Sequence, residues 1–301
     1  MKIVYLNPIG SIGGAEQVLL CCLRGVREAC PDAQLHLVVG SAGPLIDQAR
    51  ALGVDVTLLP MPAALSGLGD SAFRYARRLR GSWDFCTQAL RALPSAWCYF
   101  RAMRSLLREL RPALLHSNGL KTHWVARLAG PRGTPIVWHL HDFYGLRPLM
   151  ARTLKRARRG VAGGIAVSHA VARDAQKVLP GLPLAVVPNA IDLCRFSPGA
   201  EDGRWLDEAV GWSTASPSTV RVGLVATYAR WKGHDVFLEA AARALSSSSQ
   251  PPLRFYLVGG PIYHTRAQFT EAELKARAVA LGIAARVGFV GFQQEIARVY
   301  R

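Results

Sequence analysis

The 301-residue chain has few acidic residues, few lysines and no long apolar run. It contains 20 Asp and Glu against 37 Lys and Arg, only six of which are Lys, and its formal net charge is +17. No apolar run reaches the roughly 18 residues that a membrane-spanning helix needs. The N-terminus also lacks the charged start, apolar stretch and cleavage site of a signal peptide. We therefore expect a cytoplasmic protein whose surface attracts anions.

Two kinds of metal-site pattern are missing as well. The six cysteines have no C-x-x-C spacing, and their apolar surroundings favour reduced thiols in the protein core. In the segment "WHLHDFYG" we expect His139 and His141 to point to opposite faces of a strand, which would prevent both from binding one metal ion. We therefore predict no metal site. A structural histidine and a histidine that faces a ligand crevice both remain open for this segment.

Short apolar strands alternate with amphipathic helices from the N-terminus onward, beginning with "KIVYLN", "AQLHLVVG" and "VDVTLLP". This alternation predicts an α/β fold with parallel sheets. The segment 186–220 is polar and Ser-rich, which is typical of a linker. We predict a Rossmann-like domain over 1–185, a linker over 186–220 and a second domain over 221–301. With only about three strands, the second sheet is expected to be incomplete.

A glycine-rich turn, "GSIGGAEQVLL" (Gly10–Leu20), joins the first strand to the first helix. Such a turn brings the backbone close to a ligand, and the free N–H groups at the helix N-terminus favour an anion. The spacing is not G-x-G-x-x-G, and no acidic residue ends the second strand, which argues against a nicotinamide dinucleotide. An ordinary tight turn is the alternative.

A second anion site is predicted in "VGLVATYARWKGHDVFLEAAARAL" (Val222–Leu245). Arg230 and Lys232 lie just before a helix, where the helix dipole and the two cations reinforce each other. The next strand ends in the glycines of "YLVGGP" (Tyr256–Pro261) on the same side of the sheet. A diphosphate is the ligand that this arrangement suits. A solvated charged turn is the alternative.

Arginine is concentrated in two segments, Ser71–Arg111 and Arg152–Arg159. A nucleic-acid surface would need a known binding module or interleaved aromatic residues, and neither is evident. A basic helix beside a crevice suits a protein that binds anionic lipid to reach its substrate. A solvated face remains the alternative, and we predict no nucleic-acid partner.

Six motifs occur in a characteristic order: "GGAEQVLL", "HLHDFYG", "IAVSHAVARD", "VVPNAID", "ARWKGHDVFLEAA" and "VGFVGFQQEIARVY". Together they resemble the group 1 glycosyltransferases of family 4. The resemblance implies a GT-B fold, in which two Rossmann-like domains face each other across a cleft. The nucleotide sugar lies mainly on the C-terminal domain and the acceptor on the N-terminal one. The resemblance also implies metal-independent sugar transfer with retention at the anomeric carbon, and no cofactor beyond the nucleotide-diphospho-sugar donor.

Site residues follow from the same resemblance. Gly13 and Gly14 match the loop that approaches the donor phosphate and sugar, and His141 matches the histidine that faces the reacting sugar. In the second domain, the residues that match donor-binding positions are Lys232 at the diphosphate, Gly259 and Gly260 in a glycine turn, and Phe292 near the base.

Two features depart from the family pattern. Thr227 stands where the family commonly has an arginine, and Arg230 is the predicted substitute. The sequence ends at Arg301, before the family's two glutamates that hold the donor sugar and ribose. We therefore expect weak or no activity from this chain alone.

The predicted function is transfer to a glycan or lipid-linked acceptor in cell-envelope or polysaccharide biosynthesis, at the inner membrane face. A catalytically inactive nucleotide-sugar-binding or scaffold fragment is the alternative.

Overall fold

Strand β1 (Lys2–Asn7) is buried on both of its faces. Val4 and Leu6 belong to one hydrophobic core, whereas Ile3 and Tyr5 belong to another. Successive residues of a strand point to opposite faces of the sheet, so the two cores lie on its two sides. A strand buried in this way requires helices on both faces, which is the arrangement of a doubly wound α/β sheet.

The computed structural model describes residues 1–62, 65, 81–246, 251–261 and 267–301. The chain divides into two compact units, Met1–Ile191 (unit 1) and Asp192–Arg301 (unit 2). The arginines of the predicted basic segment that fall between 71 and 80 lie outside the described residues. Within the described ranges, no helix is both long and apolar enough to cross a membrane.

Unit 1 is built on a parallel sheet of seven strands. After β1 come β2 (Gln34–Val39), β3 (Asp55–Leu58), β4 (Leu114–Asn118), β5 (Ile136–Leu140), β6 (Gly163–Ala166) and β7 (Leu184–Val186). Their order across the sheet is β3-β2-β1-β4-β5-β6-β7. The direction of winding therefore reverses between β1 and β4.

Helices cover both faces of this sheet. The two on the first face are α1 (Gly14–Ala29) and α2 (Leu45–Ala51). The second face is covered by α3 (Gly81–Leu110), α4 (Leu120–Ala129), α5 (Pro148–Ala157) and α6 (His169–Val178). One turn of 3-10 helix, Tyr144–Leu146, precedes α5. The parallel α/β architecture predicted for the N-terminal part of the chain is confirmed.

Unit 2 has a smaller parallel sheet of three strands. Its strands are β8 (Val220–Val225), β9 (Leu253–Val258) and β10 (Val287–Val290), in the order β10-β9-β8. Its helices are α7 (Arg204–Ala209), α8 (His234–Leu245), α9 (Glu271–Ala280) and α10 (Ile296–Tyr300). Single 3-10 turns occur at Arg230–Lys232 and Ala284–Arg286. Residues of α8 and α9 pack on one face of the sheet, and α7 and α10 contribute to the small core on the other.

The expectation of core thiols is wrong for most of the cysteines whose exposure is described. Cys22 is half-buried, and four others are exposed: Cys21, Cys30, Cys98 and Cys194. Apolar neighbours in sequence did not imply burial, because Cys21 lies on the outer face of α1 while Leu19, Leu20 and Leu23 occupy its inner face.

The segment 186–220, predicted as a linker, contains helix α7, and a residue of that helix carries a buried charge in unit 2. The Asp207 side chain has no exposed surface, and its carboxylate accepts hydrogen bonds from Arg221 Nη2 and Arg254 Nη1, each at 2.6 Å. Tyr256 Oη and the Ala215 backbone N–H donate to it as well. Two guanidinium groups and two further donors thus compensate the buried carboxylate.

Burial alone would raise the pKa of the Asp207 carboxyl. The hydrogen bonds from Arg221, Tyr256 and Arg254 outweigh burial and hold that pKa well below its ordinary value. Asp207 therefore stays ionised and ties α7 to strands β8 and β9.

Replacing Asp207 by Ala leaves Arg221 and Arg254 partly buried without their partner. We expect Asp207→Ala to lower the free energy of unfolding of unit 2 by about 3 to 5 kcal/mol. Glu239→Ala is the control, because it removes a solvent-exposed ion pair with Arg277 and should cost less than about 1 kcal/mol. Hydrogen exchange of the β9 amides under increasing urea measures both losses. Equal losses in the two variants would contradict a stabilising role for the buried cluster.

Candidate active site

Two asparagines meet where the winding of the unit 1 sheet reverses. Asn7 ends β1 and Asn118 ends β4, and both side chains are almost fully buried. Asn118 Nδ2 donates to Asn7 Oδ1 at 2.8 Å. In open α/β sheets, the carboxyl ends of the two strands at such a switch point form the usual ligand site.

The predicted glycine turn lies beside these asparagines. Gly14 is the first residue of α1, is exposed, and has no atom within 4 Å of where a Cβ would lie. The Gly13 backbone N–H donates to Glu16 Oε2 at 3.1 Å, while Glu16 Oε1 accepts from Asn7 Nδ2 at 3.3 Å. The buried Glu16 therefore connects the glycine turn to the end of β1.

His141 follows β5 at the same edge of the sheet. Its Nε2 lies 2.7 Å from Asn118 Oδ1. Burial lowers the pKa of His141 below its usual value, and the neighbouring Asp142 carboxylate offsets only part of that effect. The structure thus brings together the two predicted features of unit 1, the glycine turn and His141, through a continuous set of hydrogen-bonded side chains.

The expectation that His139 and His141 point to opposite faces is wrong. Their ring centroids lie 4.3 Å apart, with the ring planes tilted by 33°. Residues i and i+2 of a strand share a face, and the two rings follow this rule. His139 Nδ1 also lies 3.3 Å from Nε2 of the buried His116. In the described ranges, no group of three or more His, Cys, Asp or Glu residues could hold a metal ion.

A second buried histidine was not singled out from the sequence. His123, on α4, lies between Ser117 Oγ, 2.7 Å from its Nδ1, and Tyr144 Oη, 2.9 Å from its Nε2. Its ring stacks on Trp138 at 5.0 Å. His123 helps to fix the end of β4, because its partner Ser117 directly precedes Asn118 on that strand.

Asn7, Asn118 and Glu16 were also missed by sequence reasoning. For the two asparagines the available signal was a polar residue at the end of an apolar strand, in "YLN" and "LLHSN".

The predicted donor-side cations of unit 2 have different surroundings. Arg230 Nη2 donates to Glu273 Oε1 at 2.9 Å, and the guanidinium lies 4.1 Å from the centroid of the Phe269 ring. Lys232 is exposed and forms no ion pair with any described residue. It ends a 3-10 turn, Gly233 then adopts a left-handed conformation at φ 83°, and α8 begins. Lys232 thus has the freer charge of the two.

The other predicted residues of unit 2 lie together at the carboxyl edge of its sheet. Gly259 has φ 135°, and a Cβ there would lie 2.1 Å from the Ala226 carbonyl oxygen at the end of β8. Gly260 packs against Phe292, since a Cβ added at position 260 would lie 3.3 Å from that ring. The Phe292 side chain is 59% exposed. Close approach of the backbone at the strand ends therefore requires glycine at 259, and an exposed aromatic ring packs beside Gly260.

A separate cavity of about 670 Å³ lies at the end of α5 in unit 1. The described residues that line it are all cationic: Arg152, Lys155, Arg156, Arg158 and Arg159. None of them forms an ion pair with another residue of the described part of the chain. Arg158 instead donates to the backbone carbonyls of Pro180 and Lys155.

The fold is shared with solved GT-B glycosyltransferases. Anabaena HepE, in complex with UDP and glucose, is similar over 99% of this chain and 71% of that chain, at 20% identity and a TM-score of 0.73. Sucrose-phosphate synthase of Thermosynechococcus elongatus matches 100% of this chain and 73% of that one, at 14% identity and a TM-score of 0.68. The lipopolysaccharide outer core galactosyltransferase WaaB matches 99% of this chain and 70% of that one, at 15% identity and a TM-score of 0.55. These likenesses show the fold and confirm the GT-B prediction.

Sequence families give a closer assignment. Residues 41–195 match the family described as Glycosyltransferase Family 4, and residues 219–301 match the one described as Glycosyl transferases group 1. The chain belongs to glycosyltransferase family 4, as its motifs predicted. None of the curated proteins compared with the chain matches it.

Buried neutral histidines predict acid sensitivity of unit 1. Burial, with a smaller contribution from His141, lowers the pKa of His116 to about 4. Burial and the neighbouring histidines lower the pKa of His139 to about 3. An unfolded histidine has a pKa of about 6.5, so the unfolded chain binds protons first as the pH falls. The stabilisation is therefore complete above about pH 6.5 and decreases as the pH falls towards the folded-state pKa.

We expect the free energy of unfolding of unit 1 to fall by on the order of 2 kcal/mol per buried histidine between about pH 7 and about pH 5. His116→Gln should reduce this pH dependence, whereas His169→Gln, at an exposed position, should preserve it. Urea unfolding at several pH values measures the slope. An unchanged slope in His116→Gln would show that His116 is not the group being titrated.

Proposed function

We propose that this glycosyltransferase moves a sugar from a nucleoside diphosphate sugar to a glycan or lipid-linked acceptor in cell-envelope or polysaccharide biosynthesis. The proposed reaction retains the anomeric configuration and needs neither a metal ion nor a cofactor. The observation that carries the donor assignment is the position of Lys232. It is an exposed lysine without an ion pair to any described residue, and it lies just before a helix N-terminus within the matched residues 219–301.

The donor diphosphate needs positive charge when the glycosidic bond breaks. At that moment the leaving nucleoside diphosphate gains negative charge, which Lys232 and the free N–H groups of α8 would stabilise. The exposed Phe292 ring beside Gly260 suits the nucleotide base, and Gly259 and Gly260 allow the ligand to approach the backbone. Arg230 is a less available cation because Glu273 and Phe269 already engage it. The presence of UDP and glucose in the HepE structure supports this donor class.

Unit 1 supplies the proposed catalytic residue. His141 would face the reacting sugar, and the open turn at Gly13 and Gly14 would approach the donor sugar and phosphate. Hydrogen-bonded neighbours hold His141 at the switch point of the sheet, which supports this assignment.

Lys232→Ala tests the donor site directly. Loss of a charged phosphate contact is worth about 1.5 to 3 kcal/mol, so we expect UDP to bind about 10- to 100-fold more weakly. Lys275→Ala is the matched control, because it removes the same charge from an exposed position in the same unit. Isothermal titration with UDP compares the two variants. Equal affinities in both variants would remove Lys232 from the proposed site.

The configuration of the product tests the reaction itself. With UDP-glucose as the probe donor, the C1 proton coupling of the transferred sugar in the NMR spectrum shows whether configuration is retained. An inverted product would overturn the proposed stereochemistry. UDP binding without any product would favour the alternative of a nucleotide-sugar-binding scaffold.

We also propose that unit 1 binds an anionic membrane surface at the cytoplasmic face of the inner membrane. The five cations around the α5 cavity support this, because the described residues offer them no carboxylate. The preceding turn adds exposed apolar side chains at Phe143 (45% exposed) and Leu146 (58%). The turn and the cavity lie towards opposite ends of α5, so the cluster of cations carries the proposal: groups of Lys and Arg are typical of surfaces that bind anionic headgroups.

Removing two of these cations should weaken membrane binding. Each contributes about 1 kcal/mol near an anionic surface, so Arg152→Gln/Arg156→Gln should reduce binding about 30-fold. Arg243→Gln/Arg286→Gln removes two exposed arginines from unit 2 and is the matched control. Co-sedimentation with vesicles of phosphatidylcholine and phosphatidylglycerol measures the effect, and added salt should reduce it. Equal binding to vesicles of phosphatidylcholine alone would contradict the proposal.

A further inference from the structure

The orientation of the Asn7 amide is determined by groups that can only accept. Asn7 Nδ2 lies 2.6 Å from the Ile9 carbonyl oxygen and 3.3 Å from Glu16 Oε1. A backbone carbonyl never donates, so the amide nitrogen must be on that side. Asn7 Oδ1 therefore faces Asn118 as an acceptor.

The orientation of Asn118 follows from that of Asn7. Asn118 Nδ2 donates to Asn7 Oδ1 at 2.8 Å and to the Ala15 carbonyl at 3.3 Å. Both partners accept, so the Asn118 amide nitrogen is directed away from His141. Asn118 Oδ1 is consequently the atom that faces His141 Nε2, at 2.7 Å.

The proton on His141 is then assigned. A nitrogen 2.7 Å from an amide oxygen must donate, so Nε2 carries the proton. In a neutral imidazole the other nitrogen, Nδ1, is then an acceptor. None of the described residues forms a hydrogen bond with Nδ1.

Several titratable groups surround the His141 ring. The His139 ring packs against it and is itself paired with His116, while Asp142 follows it in the chain and forms an ion pair with Arg147 at 3.2 Å. The buried His123 is also close enough to interact electrostatically. Burial lowers the pKa of His141 despite Asp142, which agrees with a neutral ring.

We propose that Asn118, oriented by Asn7 and Glu16, is a positioning residue that holds His141 as its Nε2–H tautomer, so that Nδ1 accepts a hydrogen bond from a hydroxyl of the substrate sugar. The identity of that hydroxyl donor rests on the proposed function, whereas the tautomer does not. In this state His141 can neither donate from Nδ1 nor supply a positive charge to the leaving diphosphate. The cationic contribution must then come from elsewhere.

Nitrogen-15 NMR of histidine-labelled protein tests the tautomer without any substrate. The His141 signals are assigned by their loss in His141→Gln. At about pH 7 we expect protonated Nε2 and unprotonated Nδ1 in the wild-type chain. Asn118→Asp places a carboxylate beside the ring and should raise the His141 titration midpoint by at least about one pH unit, roughly tenfold in proton affinity.

Two references keep this test specific. His36, whose Nε2 pairs with Thr57 Oγ1 at 2.9 Å, lies in the same unit and should titrate unchanged in Asn118→Asp. Ser117→Ala removes the adjacent buried hydrogen bond to His123 and should leave the His141 tautomer as it is. Because a carboxylate beside the ring raises the midpoint whatever Asn118 does, the tautomer in the wild-type chain is the result that decides the role of Asn118.

A wild-type His141 with its proton on Nδ1 would overturn the proposal, and so would a midpoint unmoved in a folded Asn118→Asp variant. If Asn118→Asp does not fold, the wild-type spectrum alone still decides the tautomer. Failure here is also distinct from failure of the donor assignment, which the UDP titration of Lys232→Ala measures separately.

Discussion

The hydrogen bond between Asn7 and Asn118 is the constraint on which the site in unit 1 depends. A buried amide is costly unless its donors and acceptor are satisfied, and here each amide supplies part of what the other needs. The register of the sheet pairs Leu6 with Ser117, so the two asparagines follow as the next pair. A slip of one residue would turn Asn118 to the other face and leave both amides unsatisfied. Register and site geometry are therefore specified by one interaction.

Carboxylates are scarce in this protein, and several of them stabilise its structure. Glu16 joins the glycine turn to β1, Asp207 compensates two partly buried guanidinium groups, and Glu273 pairs with Arg230. A chain with a net charge of +17 that uses acids in this way leaves other cations without partners. The cations around α5 and the single Lys232 are examples among the described residues. Uncompensated charge thus lies at the surfaces for which we propose anionic ligands.

Local patterns predicted much of the fold, and long-range contacts account for most of what was missed. Helix α8 (His234–Leu245) follows Arg230 and Lys232 as predicted, because its apolar spacing and the preceding Gly233 are readable in sequence. The bond between Asn7 and Asn118 joins residues 111 positions apart, and the polar residue at the end of each strand gives no sign of its partner. Asp207 lies in a polar, Ser-rich stretch, where a six-residue helix gives too few apolar positions to be recognised. The glycine turn and Lys232 were found because each lies between an apolar strand and an amphipathic helix, a pattern readable in sequence, and the family motifs then implied a role for each.

The histidines of unit 1 make the two halves of this enzyme unequal towards acid. His116 and His139 are buried as neutral rings that bind protons readily only once the unit has opened. In unit 2 the Asp207 carboxylate remains ionised down to a far lower pH. At mildly acidic pH, protons therefore bind to the histidines of unfolded unit 1, while Asp207 in unit 2 is still ionised and keeps its hydrogen bonds. Unit 1 is therefore the half that we expect mild acid to destabilise first.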